Sequence, residues 1–446
     1  MYCVPVNQQP PLVLQHVASQ RLKGRPLSHL SQLKRRVVLH RGPILVLASC
    51  LLFSGLLAAD DSDRFEPTPS DVVYVESNIG TPGGNSILAF RRDHDGNLTP
   101  LSGSPFLTGG TGVVDPSLKL GPFDSDQNVL SNPEHTLLFA VNSGSNSIAV
   151  FHIRPDGSLS PVQGSPFPSG GQNPVSVGLS NNILVVVNKN EDPRQDLSKS
   201  LPNYTSFRVT PQGKLIPVPH STVAVAQGSS PSQALTIRSA PLLFSTDFLG
   251  GLLESFVIDN NGRLIRNTPQ TLPESPFVTS PGAPRLPLGL AAHPLFPILY
   301  VGFTPIDRVG VYEYNAHGDL HFVKVAEDSG AAVCWLTVNR AGTRLYASNT
   351  GDNSISVFDL SNPRDPKQVQ HVVLRGQGSS FQFTLDSDEK FLHVVDQRAS
   401  ASTPEGQGDL LHVLRVDTDG MLTEVASSPA DLHLPENTRP QGVVAF

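Results

Sequence analysis

The chain has 446 residues and a net charge of −7, and only 16% of its residues are charged. The chain carries few charged residues, and no basic patch in it indicates binding to nucleic acid. We therefore expect no nucleic-acid partner. The 40 prolines and 37 glycines indicate a protein rich in turns, and three cysteines are too few for a disulfide framework.

The first 59 residues differ from the rest of the chain. A basic stretch, Lys34–Gly42, precedes 16 uncharged apolar or small residues from Ile44 to Ala59. This order is typical of a secretory signal, and the run is short for a membrane span. We therefore expect a leader over residues 1–59, a polar linker over residues 60–70, and export to the periplasm, the cell surface or the medium. Contact with a membrane is expected only through a leader that is not cleaved.

One pattern occurs seven times between Tyr74 and the C-terminus. An apolar strand ends in Asn or Asp, a polar loop follows, and a second strand alternates apolar and other residues. The clearest copies are Leu137–Leu159 and Arg344–Leu360. Alternation rich in Val, Ile and Phe predicts half-buried strands, and repetition on this scale is typical of propellers and solenoids.

Tight turns and one further strand complete each unit. Six copies end in a pair such as Asp156-Gly157 or Asn261-Gly262. These pairs favour type I′ turns, so we expect two-residue hairpins. Another strand precedes each copy, for example Pro231–Ile237 or Val333–Val338, which makes four strands in a unit.

Seven units of four strands predict an all-β fold, a seven-bladed β-propeller over residues 71–446. The last residues, Arg439–Phe446, read as a strand with no unit of its own, whereas the first unit lacks an innermost strand. We expect the C-terminal strand to complete the first blade and close the ring, because closure removes exposed sheet edges. We expect the closed ring to be a monomer.

The units Ser145–Phe167 and Arg344–Leu360 resemble those of the lactonase-type seven-bladed propellers. That family includes the bacterial 6-phosphogluconolactonase and the fungal carboxymuconate cyclase, and the units also resemble exported YVTN-repeat propellers. The resemblance implies hydrolysis of a sugar or carboxylate lactone at the central channel.

The phosphogluconolactonase branch carries a Pro-His-x-His segment and a Gly-Pro-Arg-His segment. The matching stretches here are Ser230–Ala234 and Arg285–Gly289, and neither contains a histidine. Asp247, in Phe-Ser-Thr-Asp-Phe-Leu-Gly, matches the Asp-Leu-Gly of the family. Two hypotheses therefore stay open: a lactonase-like hydrolase, and a non-catalytic exported propeller that binds a small ligand or a protein partner.

The candidates for substrate binding are taken from the loops that lead into the innermost strands, because ligands usually meet a propeller on that face. Asp247 is the candidate catalytic residue. The candidates for substrate binding are Arg285, Arg439, Asn173 and Gln441. A guanidinium group beside an innermost strand can hold a carboxylate or a phosphate.

A row of amides and carboxylates at the strand ends has two interpretations. We expect no cofactor, but oxygen ligands from several blades can converge on a hard cation such as Ca²⁺. Asn and Asp at strand ends also close turns through their own side chains, which explains why the row recurs in nearly every blade. The row consists of Asn142, Asn188, Asp247, Asn349 and Asp396.

Overall fold

A computed structural model describes residues 70–113, 125–274, 285–398, 408–435 and 438–446. The predicted leader over residues 1–59 and all but Ser70 of the predicted linker lie outside these ranges. The described residues form seven antiparallel sheets whose innermost strands contact one another in sequence around a ring. This confirms the all-β, seven-bladed propeller. None of the helices in these ranges is long and apolar enough to cross a membrane.

Each blade has four strands, numbered in chain order. The innermost strands of blades 1 to 7 are Gln441–Ala445 (β33), Val129–Ser131 (β5), Pro174–Ser180 (β10), Leu235–Thr236 (β15), Pro287–Ala292 (β20), Val333–Val338 (β24) and Ser379–Leu385 (β28). The second strands are Val72–Glu76 (β1), Leu137–Asn142 (β6), Ile183–Asn188 (β11), Leu242–Asp247 (β16), Ile298–Phe303 (β21), Arg344–Asn349 (β25) and Phe391–Gln397 (β29).

The outer half of each blade follows the same order. The third strands are Ser86–Arg92 (β2), Ser147–Ile153 (β7), Asn203–Val209 (β12), Leu252–Ile258 (β17), Arg308–Tyr314 (β22), Ser354–Asp359 (β26) and Leu410–Val416 (β30). The fourth strands are Leu98–Pro100 (β3), Leu159–Pro161 (β8), Leu215–Pro217 (β13), Leu264–Arg266 (β18), Leu320–Glu327 (β23), Lys367–Val373 (β27) and Leu422–Glu424 (β31).

In five blades the outer strand is interrupted and resumes as a short strand that pairs with the third strand. These short strands are Phe106–Leu107 (β4), Phe167–Pro168 (β9), Val223–Ala224 (β14), Gln270–Thr271 (β19) and Ala430–Asp431 (β32). Two short 3₁₀ turns, Leu197–Lys199 and Thr304–Ile306, lie in loops between second and third strands.

The C-terminal strand closes the ring as predicted. β33 pairs with β1, with Val73 opposite Ala445 and Tyr74 opposite Val444. Blade 1 is therefore built from both ends of the propeller chain, in the order β33-β1-β2-β3.

The hairpins between third and fourth strands differ from the prediction. In blade 2 the Gly157 N–H donates to the Arg154 carbonyl, and the Arg154 N–H donates to Ser158. Gly157 has a φ of 83°, whereas Asp156 is not left-handed. The predicted two-residue type I′ turn is wrong, since these are three-residue loops in which only the glycine takes a positive φ.

The apolar core lies between neighbouring blades. Val185 and Val187 of blade 3, for example, belong to one buried cluster with Leu243 and Phe256 of blade 4. Each blade therefore needs both of its neighbours to bury its two faces.

Two faces of the ring have different roles. The loop face carries the beginnings of the innermost strands and the connections between second and third strands. The turn face carries the tight turns after the innermost strands and the three-residue hairpins. The central channel runs between the two faces.

Candidate active site in the central channel

A short polar segment, residues 125–128, spans the channel before β5 begins; we call it the bridge. The Nδ2 of Asn128 donates to the Oε1 of Gln441 in blade 1 at 2.8 Å. In blade 7 the Nε2 of Gln382 donates to the Oδ1 of Asn128 at 3.1 Å. One end of the bridge is thus held by two neighbouring blades.

The middle of the bridge is held from the other side of the ring. The Asp126 N–H donates to the Ser232 carbonyl of blade 4 at 3.0 Å, and the Val177 N–H of blade 3 donates to the Gln127 carbonyl at 2.9 Å. Gln127 has a φ of 60°, which turns the chain at this point. Bonds to blades 1, 3, 4 and 7 fix the bridge across the channel.

A cavity of about 530 Å³ fills the channel on the turn-face side of the bridge. Asp126, Gln127 and Gln233 line its inner end. Its other end is lined by residues of turn-face turns, including Pro294 and Arg340, so the cavity opens on the turn face.

Asp126 is the acidic group at the inner end of this cavity. Its Oδ1 accepts the Gln127 N–H at 2.7 Å, and the Nε2 of Gln233 lies 3.4 Å from its Oδ2. Burial raises the pKa of Asp126 to about 7, and the backbone hydrogen bond offsets only part of that effect. A carboxyl group with this pKa is divided between its two protonation states near neutral pH.

Gln127 places a second amide beside the carboxylate. Its Oε1 accepts from the Nε2 of Gln233 at 3.0 Å, which orients the Gln127 side chain. Gln233 is itself fixed because its Oε1 accepts the Leu290 N–H at 2.7 Å. The Nε2 of Gln127 donates to none of the described residues, and Gln127 lines the cavity.

The mouth of the cavity carries basic side chains. Arg238 and Arg340 are exposed there. His293 is buried at the same rim, where its Nε2 lies 3.0 Å from the Gly342 carbonyl. Burial lowers the pKa of His293, so the ring is neutral and organises its turn rather than acting as a free base.

Two of the predicted site residues, Asp247 at the end of β16 and Asn173 before β10, lie on the loop face, and both are buried. The Oδ1 of Asp247 accepts the Ser230 N–H at 2.7 Å and the Gly250 N–H at 2.9 Å. The Oδ1 of Asn173 accepts the Glu191 N–H at 3.2 Å. Both side chains therefore hold loop backbone in place.

Arg285 and Arg439 lie on different sides of the ring. The guanidinium group of Arg285 donates to the Leu272 carbonyl, next to the outer strand of blade 4. The Arg439 carbonyl accepts from Asn78 of blade 1 at 3.1 Å. The structure therefore does not bring the two arginines together, whereas Gln441 joins the bridge through Asn128.

A second acidic group on the loop face lies close to Arg439. Burial raises the pKa of Asp409 to about 7, although the charges of Arg398 and Arg439 oppose the shift. The Arg398 N–H donates to the Oδ1 of Asp409 at 3.2 Å. This corner between blades 7 and 1 is the part of the loop face where a predicted arginine adjoins an acid.

The Asn/Asp row at the strand ends is fully or almost fully buried. The Nδ2 of Asn142 donates to Ser147 at 3.2 Å, and the Nδ2 of Asn188 donates to the Ser169 carbonyl at 3.2 Å. The Nδ2 of Asn349 donates to Ser354 at 3.0 Å. The contacts of Asn142 to Ser147 and of Asn349 to Ser354 are local. The Nδ2 of Asn85 in blade 1 also donates to the Oδ1 of Asn142 at 3.0 Å, so the row joins neighbouring blades as well as closing turns.

In blade 7 the row has a different chemistry. Asp396 lies 3.1 Å from the Nε2 of His412, whose Nδ1 lies 2.7 Å from Glu424. Within the described ranges, no three His, Cys, Asp or Glu side chains are grouped so as to hold a metal ion. The residues of the row thus lie in separate blades, each with its own partners.

Asp126 and Gln127 were not among the sequence candidates. A faint signal exists in the sequence, since the run Ser125–Asn128 is polar and lies directly before a short apolar strand. Nothing in that run indicates that it crosses the channel, because the crossing depends on amides from three other blades.

Comparison with known proteins agrees with the fold. A family model described as "Lactonase, 7-bladed beta-propeller" matches residues 301–428. No curated protein matches the chain.

Several solved structures share the ring. A Bacteroides uniformis protein, provisionally named a 6-phosphogluconolactonase, is 15% identical with a TM-score of 0.60, over 84% of this chain and 98% of its own. The periplasmic gluconolactonase of Pseudomonas aeruginosa is 16% identical with a TM-score of 0.59, over 84% of this chain and 100% of its own. A Lactobacillus plantarum protein is 14% identical with a TM-score of 0.61, over 83% of this chain and 98% of its own. At these identities the likeness establishes the fold alone.

Proposed function

We propose that this chain, a seven-bladed β-propeller of the lactonase type, hydrolyses a sugar or carboxylate lactone in its central channel. The observation that carries the proposal is the carboxylate of Asp126 at the inner end of a cavity of about 530 Å³, beside the amides of Gln127 and Gln233. A concave site with a few convergent polar groups is the usual form of a small-molecule site.

The reaction needs one base and one hydrogen-bond donor. The carboxylate of Asp126 takes a proton from water, and the water oxygen attacks the lactone carbonyl carbon. The Nε2 of Gln127 donates to the developing oxyanion. When the ring C–O bond breaks, Asp126 returns the proton to the leaving alkoxide, which gives the hydroxy acid and regenerates the carboxylate. Gln233 acts as a positioning residue, because it contacts both Asp126 and Gln127.

The pKa of Asp126 suits both halves of this cycle. A general base is most effective when its pKa is near the working pH, since it must be ionised and still hold a proton well. Burial supplies that value of about 7. The missing family histidines at Ser230–Ala234 and Arg285–Gly289 are not required by this scheme.

Asp126→Asn tests the proposal, with Asp409→Asn as a matched control. Both changes neutralise an acid whose pKa is raised to about 7, but of the two only the half-buried Asp126 lines the cavity. With glucono-1,5-lactone and a carboxylate-bearing butenolide as substrates, Asp126→Asn should lower kcat/KM by about 100-fold or more. Asp409→Asn should leave the value near that of the wild type.

The opposite pattern of activity loss would place the catalytic site on the loop face. Activity lost in Asp409→Asn or Arg439→Ala, but kept in Asp126→Asn, would favour the site predicted from the sequence. Binding of lactones or hydroxy acids with no hydrolysis by the wild type would favour the non-catalytic propeller.

We also propose that the protein is exported with its leader removed. The basic stretch Lys34–Gly42 followed by the apolar run Ile44–Ala59 supports this. N-terminal sequencing of protein recovered from the medium or the periplasm tests it, and a mature N-terminus near Asp60 is expected. An N-terminus at Met1 would contradict cleavage.

A further inference from the structure

A second cavity adjoins the channel on the turn face; we call it the side cleft. It has a volume of about 740 Å³ and lies along the turns of blades 2, 3 and 4. It shares Gln127, Leu130 and Thr236–Arg238 with the channel cavity. The two cavities therefore share part of their walls, including Gln127, which follows Asp126 in the chain.

Turns of unequal length border the cleft. In blade 3 two residues, Asn181 and Asn182, connect β10 to β11, whereas five residues connect β5 to β6 in blade 2 and β15 to β16 in blade 4. Residues of all three turns line the side cleft.

The wall of the side cleft mixes polar and apolar residues and carries little charge. Glu134 and Arg238 are its ionisable groups apart from a histidine. That histidine, His135, stacks on Phe446 with ring centroids 4.0 Å apart, and burial lowers its pKa, so the ring is neutral. The exposed side chains of Asn181 and Asn182 make no hydrogen bond to any described residue.

We infer that the side cleft holds the remainder of an extended, polyhydroxylated lactone whose lactone ring lies beside Asp126. Free amides and a neutral ring face suit hydroxyl groups and the apolar faces of a sugar ring. The cleft then acts as a binding site for a second sugar unit. This inference names the substrate class of the site in the proposed function, and rests on it.

The test compares a disaccharide lactone with a monosaccharide lactone. Cellobiono-1,5-lactone should be hydrolysed with a kcat/KM about tenfold above that of glucono-1,5-lactone, because it gains contacts in the cleft. Asn182→Trp should fill the cleft and bring kcat/KM for the disaccharide lactone down to that for the monosaccharide lactone. Ala341→Trp is the matched control, since Ala341 is exposed in the corresponding turn of blade 6 and lines neither cavity.

Equal rates for both lactones, or an Asn182→Trp variant that affects both alike, would overturn the inference. If the wild type hydrolyses neither lactone, the proposed function fails, and a separate binding measurement then tests the inference. In that case calorimetry with cellobionate should show binding that Asn182→Trp weakens about tenfold and Ala341→Trp does not. Absence of such binding would also overturn it.

Discussion

The side-chain amide of Gln233 lies 3.4 Å from the carboxylate of Asp126 at the inner end of the channel. The two residues come from blades 4 and 2, so the contact exists only because the bridge reaches across the ring. Burial dominates the pKa of Asp126, and the bond from the Gln127 N–H offsets only part of that effect.

The first prediction concerns the pH dependence of hydrolysis. Because the ionised form of Asp126 is the base, kcat/KM should rise with pH through a midpoint of about 7 and reach a plateau above it. A series of kcat/KM values from pH 5 to 9 measures this. A midpoint near 4, the ordinary range of an aspartate, would contradict the role of the buried carboxylate.

The second prediction concerns the stability cost of the same group. Since the pKa is about 7 in the folded state and near 4 in the unfolded state, folding favours the protonated form. The free energy of unfolding should therefore fall as the pH rises from about 4 to 7. The full shift corresponds to about 4 kcal/mol, and we expect about half of it because channel water reaches the side chain.

Asp126→Asn should remove that loss. Urea unfolding should find the variant about 2 kcal/mol more stable than the wild type at pH 8 and equally stable near pH 4. A variant less stable than the wild type at pH 8 would show that the carboxylate is a structural requirement instead.

A buried histidine gives the third prediction. His412 is inaccessible to solvent and lies between Asp396 and Glu424, at 3.1 and 2.7 Å. The two carboxylates raise its pKa in spite of burial. The stabilisation that charged His412 provides is fully present below about pH 6.5, the ordinary pKa of histidine. It is lost as the pH rises through the raised pKa of His412 in the folded protein.

His412→Gln keeps hydrogen-bonding atoms but removes the charge. We expect a loss of about 3 kcal/mol at pH 6, because the buried carboxylate of Asp396 loses its cation while Glu424 keeps Arg375, and a smaller loss at pH 9. The exposed His321→Gln should change the free energy of unfolding little at either pH. A loss for His412→Gln that does not depend on pH would mean that the ring is neutral in the folded protein.

The parts of the structure that sequence reasoning could reach are those set by local pattern. Alternation along Ser147–Ile153 or Ser354–Asp359 predicts strands because one face of a strand repeats every second residue. The unpaired strand at Arg439–Phe446 predicts closure because a sheet edge needs a partner. The hairpin type was missed because Asp-Gly serves both type I′ turns and three-residue loops.

The channel site needed contacts between residues far apart in the chain. Asp126 has no special sequence context, and its environment comes from Ser232 and Gln233, more than a hundred residues later. Arg285 has the right residue type for binding an anion, but its guanidinium group donates to Leu272. Residue type and position in the repeat do not determine the direction of a long side chain.

The last prediction concerns how blades are tied together. Tyr346 of β25 in blade 6 donates its hydroxyl to the Gly420 carbonyl in the hairpin of blade 7 at 2.9 Å. Tyr74 makes the same bond to Gly157 at 2.6 Å. Tyr346→Phe should lower the free energy of unfolding by about 1 kcal/mol, since it removes one buried hydrogen bond and leaves the carbonyl unsatisfied.

Tyr312 offers a matched control for this loss. It is as deeply buried, but its hydroxyl has no hydrogen-bond partner among the described residues. Tyr312→Phe removes a buried polar atom that gains nothing from folding, so it should be neutral or slightly stabilising. Urea unfolding of both variants gives the difference directly. Equal losses would assign the effect to ring packing, and the hydroxyl would then contribute nothing to the contact between blades 6 and 7.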